Sequence, residues 1–455
     1  MSNLLESFRE AYRNLQLLPL LSDENLEKFE VEYGKRTIEE LEQRVEDSPS
    51  GNTKIIFAGH RGCGKSTLLA KFSRQLESRF FVVFFSISDT IEMSDVNHIN
   101  ILFAIGVQMM LEAEKREIKI NKATRKSFSQ WFAKKTRTEI NQVNAEVSGG
   151  FDLFKIIAGK LKIDSAVREE IKQEFLRNTS ELIDRINEIA ETIKKATNKE
   201  MLVVIDDLDK LDLSVVDEIY KNNVKTLFQP DLRIIFTIPI SALRDVEKKA
   251  VLITESSDAI AIMSVSKLFS KEQREKSNSA RKSGVVGVFQ EKVFKLLGKE
   301  ERRQIDPVPN PEPVAVLKEA IAKRVKSELI EEETLNKIIL YSGGVLRELI
   351  RITNECCRVC LQLIRRNPED TNIKINHEVL RQAIKEIRID FDMGIGTTDY
   401  QILKEVYEDL SPRDANEERF LDLLHGLYVL EYRNAELWYD IHPIVTELLQ
   451  QKGVL

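Results

Sequence analysis

At 455 residues the chain is long for a single core, so two or three domains are expected. Hydrophobic content of 42%, charged content of 31% and a net charge of −6 describe a soluble globular protein without a global basic field for nucleic acid. The longest apolar run, near Phe80 to Ile87, is too short to span a bilayer, and MSNLLESFRE lacks the basic and apolar regions of a signal peptide. Four cysteines, Cys63, Cys356, Cys357 and Cys360, suit a reducing cytoplasm. Cys357-x-x-Cys360 invites a metal reading, but no second ligand pair with zinc spacing accompanies it, so these cysteines are expected to pack a helix.

Residues 1–50 read as helices and a connector: Leu4, Phe8, Ala11, Leu15 and Leu18 keep a helical stripe, and a second helix is expected from Thr37 to Val45. From its position, the segment is expected to cover the adenine side of a nucleotide. Ile55 to Ala58 then form an apolar run like a buried strand. Gly59-His60-Arg61-Gly62-Cys63-Gly64-Lys65-Ser66 follows and fits G-x-x-x-x-G-K-[ST] at every fixed position, with Thr67 next. Glycines let the backbone wrap an anion, successive N–H groups point inward, and the helix that Ser66 to Leu76 predicts turns its positive end to the same anion. Lys65 is placed to reach β- and γ-phosphates, and the Ser66 hydroxyl to complete a Mg²⁺ shell.

Phe80 to Ile87 is the second expected strand, apolar on both faces, and Ile99 to Leu111 the next helix. Residues 112–137 hold nine Lys/Arg against three Glu, with Phe128, Trp131 and Phe132 among them. They suit single-stranded nucleic acid or, alternatively, a solvated helix with an apolar stripe. Asn141 to Gly150 reads as loop and Ser165 to Lys195 as one long helix. Met201 to Ile205 is an apolar run ending in Asp206 and Asp207, and the carboxyl end of such a strand is where ligand chemistry gathers. Asp206 is the expected Mg²⁺ ligand and Asp207 the candidate to orient and deprotonate the attacking water; being one methylene shorter than Glu, Asp207 suggests slow turnover. Leu232 to Ile238 is a strand carrying Thr237 as a candidate γ-phosphate sensor, broken by Pro239. Ala259 to Val265 makes a fifth strand. The expected core, residues 51–266 with a helical, basic insertion at 112–163, is a doubly wound parallel α/β sheet with one strand between the two phosphate-site strands.

Residues 267–303 hold eleven Lys/Arg against five Glu and read as an exposed insertion. Pro307, Pro309, Pro311 and Pro313 mark a linker, completing a segment 267–313. Residues 314–396 read as a helical lid: Val314 to Lys326, Glu332 to Tyr341, Leu346 to Arg365 and His377 to Ile387. Ser342-Gly343-Gly344 opens the third of these, and Arg347 in its first turns is either a sensor arginine on the phosphates or a surface arginine. Residues 397–455 read as two helices, a β-hairpin around Arg433 to Glu436 and a helix from Pro443 to Gln450, the order of a winged helix. With five Lys/Arg against twelve Asp/Glu this part is poorly suited to a DNA groove.

GHRGCGKST, VVIDDLD, FTIP, SGGVLREL and the terminal winged-helix order resemble the AAA+/STAND group of P-loop NTPases, in particular bacterial relatives of NB-ARC and origin-recognition ATPases. The resemblance covers most of 50–265 and 314–455. It implies ATP, ADP and Mg²⁺ as ligands, and an ATPase that assembles as an oligomer or controls a separate effector protein, as in antiphage defence. It also implies that His442, in Ile441-His442-Pro443, contacts the ADP β-phosphate, although Pro443 stands where the family has Asp. A capping or core histidine is the alternative. Two other functions stay open: a DNA-associated loader using 112–137 and 267–303, and a structural partner that binds nucleotide without turnover.

Overall fold

The structure is a computed structural model that describes residues 3–48, 51–138, 153–257, 259–282, 308–434 and 436–455. Its described residues divide into two compact units: Gly34–Gly59 with Ser66–Ile262, and Met1–Tyr33 with His60–Lys65 and Met263–Leu455.

The first unit is built on a parallel sheet. Its strands are β1 (Lys54–Gly59), β2 (Phe80–Ser86), β3 (Glu200–Asp206), β4 (Arg233–Pro239) and β5 (Ile260–Met263), in the order β2-β3-β4-β1-β5. β4 thus lies between β1 and β3, as the sequence leads one to expect. Every residue of β1 is buried and only Glu200 of β3 is exposed, which is why these strands read as continuous apolar runs. β2 stops one residue early because Ile87–Thr90 turns helical. Pro239 closes the ladder as the last residue of β4, in register with Gly59.

One expectation for this unit changes. The helix expected from Ser165 to Lys195 is two, Ser165–Arg177 and Thr179–Thr197, broken at Asn178 (φ −143°). Asn favours helix ends over interiors, and here its amide reaches Glu181. The basic stretch 112–137 forms the helix Lys122–Lys135 with its aromatic face turned inward. Phe132 meets Phe103 at 5.1 Å and Trp131 at 4.9 Å between ring centroids, and Phe128 and Phe132 are fully buried. Lys135 is buried and paired with Glu174 and Glu181. The helix thus has the expected apolar stripe, with Phe128 and Phe132 committed to the core. The loop expected at Asn141 to Gly150 lies outside the described residues.

In the second unit the helix Asn3–Asn14 is tied to the helix Leu346–Arg366, whose Asn354 amide donates to the carbonyls of Tyr12 and Leu15, each at 3.2 Å. The N-terminal stripe ends at Leu15; Leu18 is 71% exposed, because the helix has stopped and Pro19 follows. Helices Pro311–Ala322, Glu332–Tyr341, Leu346–Arg366 and His377–Met393 follow. Pro311 and Pro313 open the first of these instead of forming a linker, a position where a missing N–H costs nothing; Pro307 lies outside the described residues. Cys356, Cys357 and Cys360 are free and buried, and burial pushes the Cys357 thiol up to about 12, so they are packing residues.

Of the basic stretch 267–303, residues 267–282 are described. They contain a docked helix, Lys271–Lys282, not an exposed insertion. Lys271 pairs with Glu436 at 2.9 Å, Arg274 with Asp440 at 2.5 Å, and the Asn278 amide donates to Tyr407 O at 2.7 Å. These acids are part of the terminal acidic surplus, which takes up basic charge expected to be free. The chain closes with helices Asp399–Asp409 and Glu418–His425, the antiparallel hairpin β6 (Val429–Asn434) and β7 (Glu436–Ile441), and the helix Pro443–Gln451. Among the described residues no helix is long and apolar enough to cross a membrane.

Candidate functional site

The glycine-rich loop leaves β1 after Gly59 and enters the helix Lys65–Leu76. Gly62 and Gly64 hold φ +77° and +97°, the left-handed backbone that aims amides inward. In the second unit, Arg347 lies on this loop: its N–H donates to Gly62 O at 2.9 Å, and a Cβ at Gly62 would sit 2.5 Å from Arg347 Cβ. Arg347 is half-buried. Lys65 is buried, its ammonium donating to His60 O at 2.7 Å. Cys63 is buried with Sγ 3.9 Å from Met263 O, and Tyr33, Met263 and Leu346 pack around Gly64. Arg61 is half-buried. The His60 ring is buried and its Nε2 accepts the Glu431 N–H of β6 at 2.8 Å.

In the first unit, Ser66 and Thr67 are half-buried, and the Ser66 hydroxyl bonds the carboxyl of Asp206. Asp206 is buried with Oδ1 lacking a hydrogen-bond partner. Burial, then Asp209 and Asp207, push its pKa up to about 6. Asp206, Asp207 and Asp209 bring carboxylate oxygens within 4.8 Å of one another. An orphaned buried carboxylate oxygen beside a hydroxyl and two further acids is an all-oxygen donor set suited to a hard divalent cation.

Asp207 is placed differently. It sits at φ +68°, an uncommon backbone for a side-chain-bearing residue. Its Oδ2 accepts from Ser86 at 2.7 Å and Ser88 at 2.8 Å, and Lys210 stands 2.5 Å from Oδ1. Burial alone would raise its pKa, but Lys210 and the two hydroxyls outweigh it and hold the carboxyl below its usual range. Ser86, Ser88 and Lys210 were not singled out from sequence; the available signal was polar residues at the carboxyl end of β2, where Ser86 pairs in register with Asp206.

Two further expected site residues are engaged within the fold. Thr237 is fully buried, its hydroxyl accepting from Leu208 N–H at 3.0 Å and donating to Ile205 O at 3.2 Å. It clamps the turn after β3. His442 caps the helix Pro443–Gln451: its Nδ1 accepts from Ile444 N–H at 3.3 Å, and its ring stacks on Phe391 at 4.8 Å. The ring is fully buried with Nε2 lacking a hydrogen-bond partner among the described residues; burial first, and Arg351 second, lower its pKa to about 3. The histidine bonded between loop and hairpin is His60.

Residues 36–238 match the family model described as the KAP family P-loop domain. No curated protein matches the chain. Among solved structures the chain is similar to the Aeropyrum pernix ORC2 protein (ADPNP-ADP complexes), at 12% identity and a TM-score of 0.38, covering 98% of this chain and 99% of that one. It is also similar to the Aeropyrum pernix ORC1 protein in complex with DNA, at 10% identity and a TM-score of 0.34, covering 96% of each chain. The parallel sheet, the glycine-rich loop and the family match together make this segment a P-loop NTPase domain.

Proposed function

We propose that the chain is an ATP-binding, slowly hydrolysing switch. The observation that carries this reading is the contrast between adjacent acids. Asp206 keeps a buried oxygen without a partner, as a cation ligand needs, whereas Asp207 is held by Ser86, Ser88 and Lys210. A base restrained by three donors is a poor proton acceptor, which favours a long-lived ATP state.

In this reading the amides of Gly59 to Thr67 wrap the phosphates and Lys65 neutralises the β- and γ-oxygens. Ser66 and Asp206 hold Mg²⁺, which when bound shields the phosphate oxygens. Arg347, lying over Gly62, answers the phosphates from the second unit's own helix. Asp207, once released from its donors, or else Asp209, takes the proton of the attacking water. The terminal helices and hairpin serve as a winged helix in a packing or switching role. Assembly with further copies of the chain, or control of a separate effector protein, is the output the family resemblance implies, and antiphage defence its setting.

The test is ATP binding by calorimetry together with phosphate release. Lys65→Ala should lose about tenfold to a hundredfold in ATP affinity, a charge-assisted contact being worth about 1.5–3 kcal/mol. Asp206→Asn should lose the Mg²⁺-dependent part of binding. Unchanged ATP affinity in Lys65→Ala overturns the site. A wild type that binds ATP and releases no phosphate leaves a structural nucleotide-binding partner instead.

A further inference from the structure

His60 occupies a position that the glycine-rich motif leaves unspecified, yet its ring is buried and bonds the terminal hairpin. Its ring accepts the N–H of Glu431 at 2.8 Å, while its carbonyl accepts the Lys65 ammonium at 2.7 Å. The Glu431 N–H is an edge donor. Glu431 stands opposite Tyr439, whose own N–H goes out to Leu410 O at 2.9 Å, so this pair is a non-hydrogen-bonded position of the β6–β7 ladder. The neighbouring contacts stiffen the link. Tyr432 Oη donates to Gly343 O at 2.7 Å, and a Cβ at Gly343 would meet Leu430 at 2.5 Å. From the same turn, Arg347 N–H reaches Gly62 O. Loop, turn and hairpin therefore form one connected set of contacts.

We propose that His60 is the positioning residue that sets hairpin docking against phosphate binding. This rests on the nucleotide reading of the loop. A phosphate competes with the His60 carbonyl for the Lys65 ammonium. Winning it removes a charged contact that helps seat residue 60, leaves the Cys63 N–H on the same carbonyl at 3.4 Å, and loosens the ring that holds Glu431. Coupling of this kind is reciprocal: whatever ATP does to the hairpin, undocking the hairpin does for ATP.

The test uses the full chain, with hydrogen exchange of the 429–441 segment measured with and without Mg·ATP, alongside ATP affinity. In the wild type, ATP should speed exchange of the hairpin about fivefold to thirtyfold, the effect of one buried hydrogen bond. His60→Leu should show that faster exchange without ATP and bind ATP about fivefold to thirtyfold more tightly. His60→Gln, whose amide oxygen reaches the place of Nε2, should stay near the wild type, which a merely space-filling role would not explain. Should His60→Leu fail to fold, Glu431→Pro removes the same donor from the ladder edge, with Glu431→Gln as control for the lost Arg433 pairing, and should give the same two shifts. A wild type that binds ATP with no response in the hairpin overturns the coupling alone, as does a His60→Leu or Glu431→Pro variant with wild-type ATP affinity. A wild type that does not bind ATP overturns the nucleotide reading and the coupling with it.

Discussion

Replacing Ser86 and Ser88 together by alanine removes both hydroxyl donors from Asp207 Oδ2 and leaves Lys210 on Oδ1. Hydrogen bonds to a charged acceptor are worth about 1.5–3 kcal/mol each. Asp207 is 7% exposed, so water replaces them only in part. The double variant should therefore fold less stably by about 2–4 kcal/mol. Burial, which the hydroxyls now help to outweigh, would push the Asp207 carboxyl upward and make it the better base. A general base contributes about 10²–10⁴ in rate, and recovering about a third to a half of that in log units predicts roughly tenfold faster phosphate release at saturating ATP. The pH sign follows from the same contacts. A depressed Asp pKa stabilises the fold above the unfolded value near 3.8, and that contribution is lost as pH falls through the lower folded value. The double variant, with its folded pKa raised, should lose less stability on acidification than the wild type. The assays are phosphate release and denaturant unfolding at neutral and acid pH. Slower or unchanged turnover in a folded double variant would refute the restraint, and faster turnover that survives the addition of Asp207→Asn would move the base to Asp209.

Lys54 is buried at the start of β1, donating to Leu232 O at 3.0 Å and to Asn52 O; burial lowers its pKa to about 8, with Asp231 opposing. Between pH 8 and 10.5 the unfolded chain binds more protons here, so the wild type should gain stability on going alkaline, by about 3 kcal/mol relative to Lys54→Met; parallel denaturation curves for the two proteins at both pH values would refute this. His442→Ala should cost about 2–4 kcal/mol through its lost cap and the cavity beside Phe391, with ADP affinity within about twofold of the wild type. A large loss of ADP affinity at unchanged stability would restore the β-phosphate role.

The chemistry of strands proved easier to read than the direction of side chains. β1, β3 and β4 announce themselves because a central parallel strand is buried on both faces, and no neighbour can change that requirement. The same logic placed the glycine-rich loop, since Gly62 and Gly64 need a backbone that few other residues tolerate. What stayed hidden depends on which way a group points. Trp131 and Phe132 in a basic helix suit an apolar stripe or a nucleic-acid face, and what the stripe packs on is set by Phe103, Phe154 and Phe175 from other helices. Thr237 has the right type at the right end of its strand, but its hydroxyl turns to the Leu208 amide. Asp207 looks like a free base in VVIDDLD because Ser86 and Ser88, which restrain it, lie more than a hundred residues away along the chain.

The two histidines make the point for the site itself. His442 has the family's position, after the hairpin and before the last helix, and burial turns it into a cap. His60 has no assigned position, standing at a motif letter that admits any residue, and it makes the hydrogen bond to the hairpin. A motif records what every phosphate loop must do: clear space for an anion and supply a cation. It says nothing of what a given chain adds at the unspecified letters, where a side chain can be chosen without harming the cradle. Control particular to one chain is therefore to be sought at such letters, and in this loop His60 is the one whose ring leaves the phosphate side and bonds the backbone of another element.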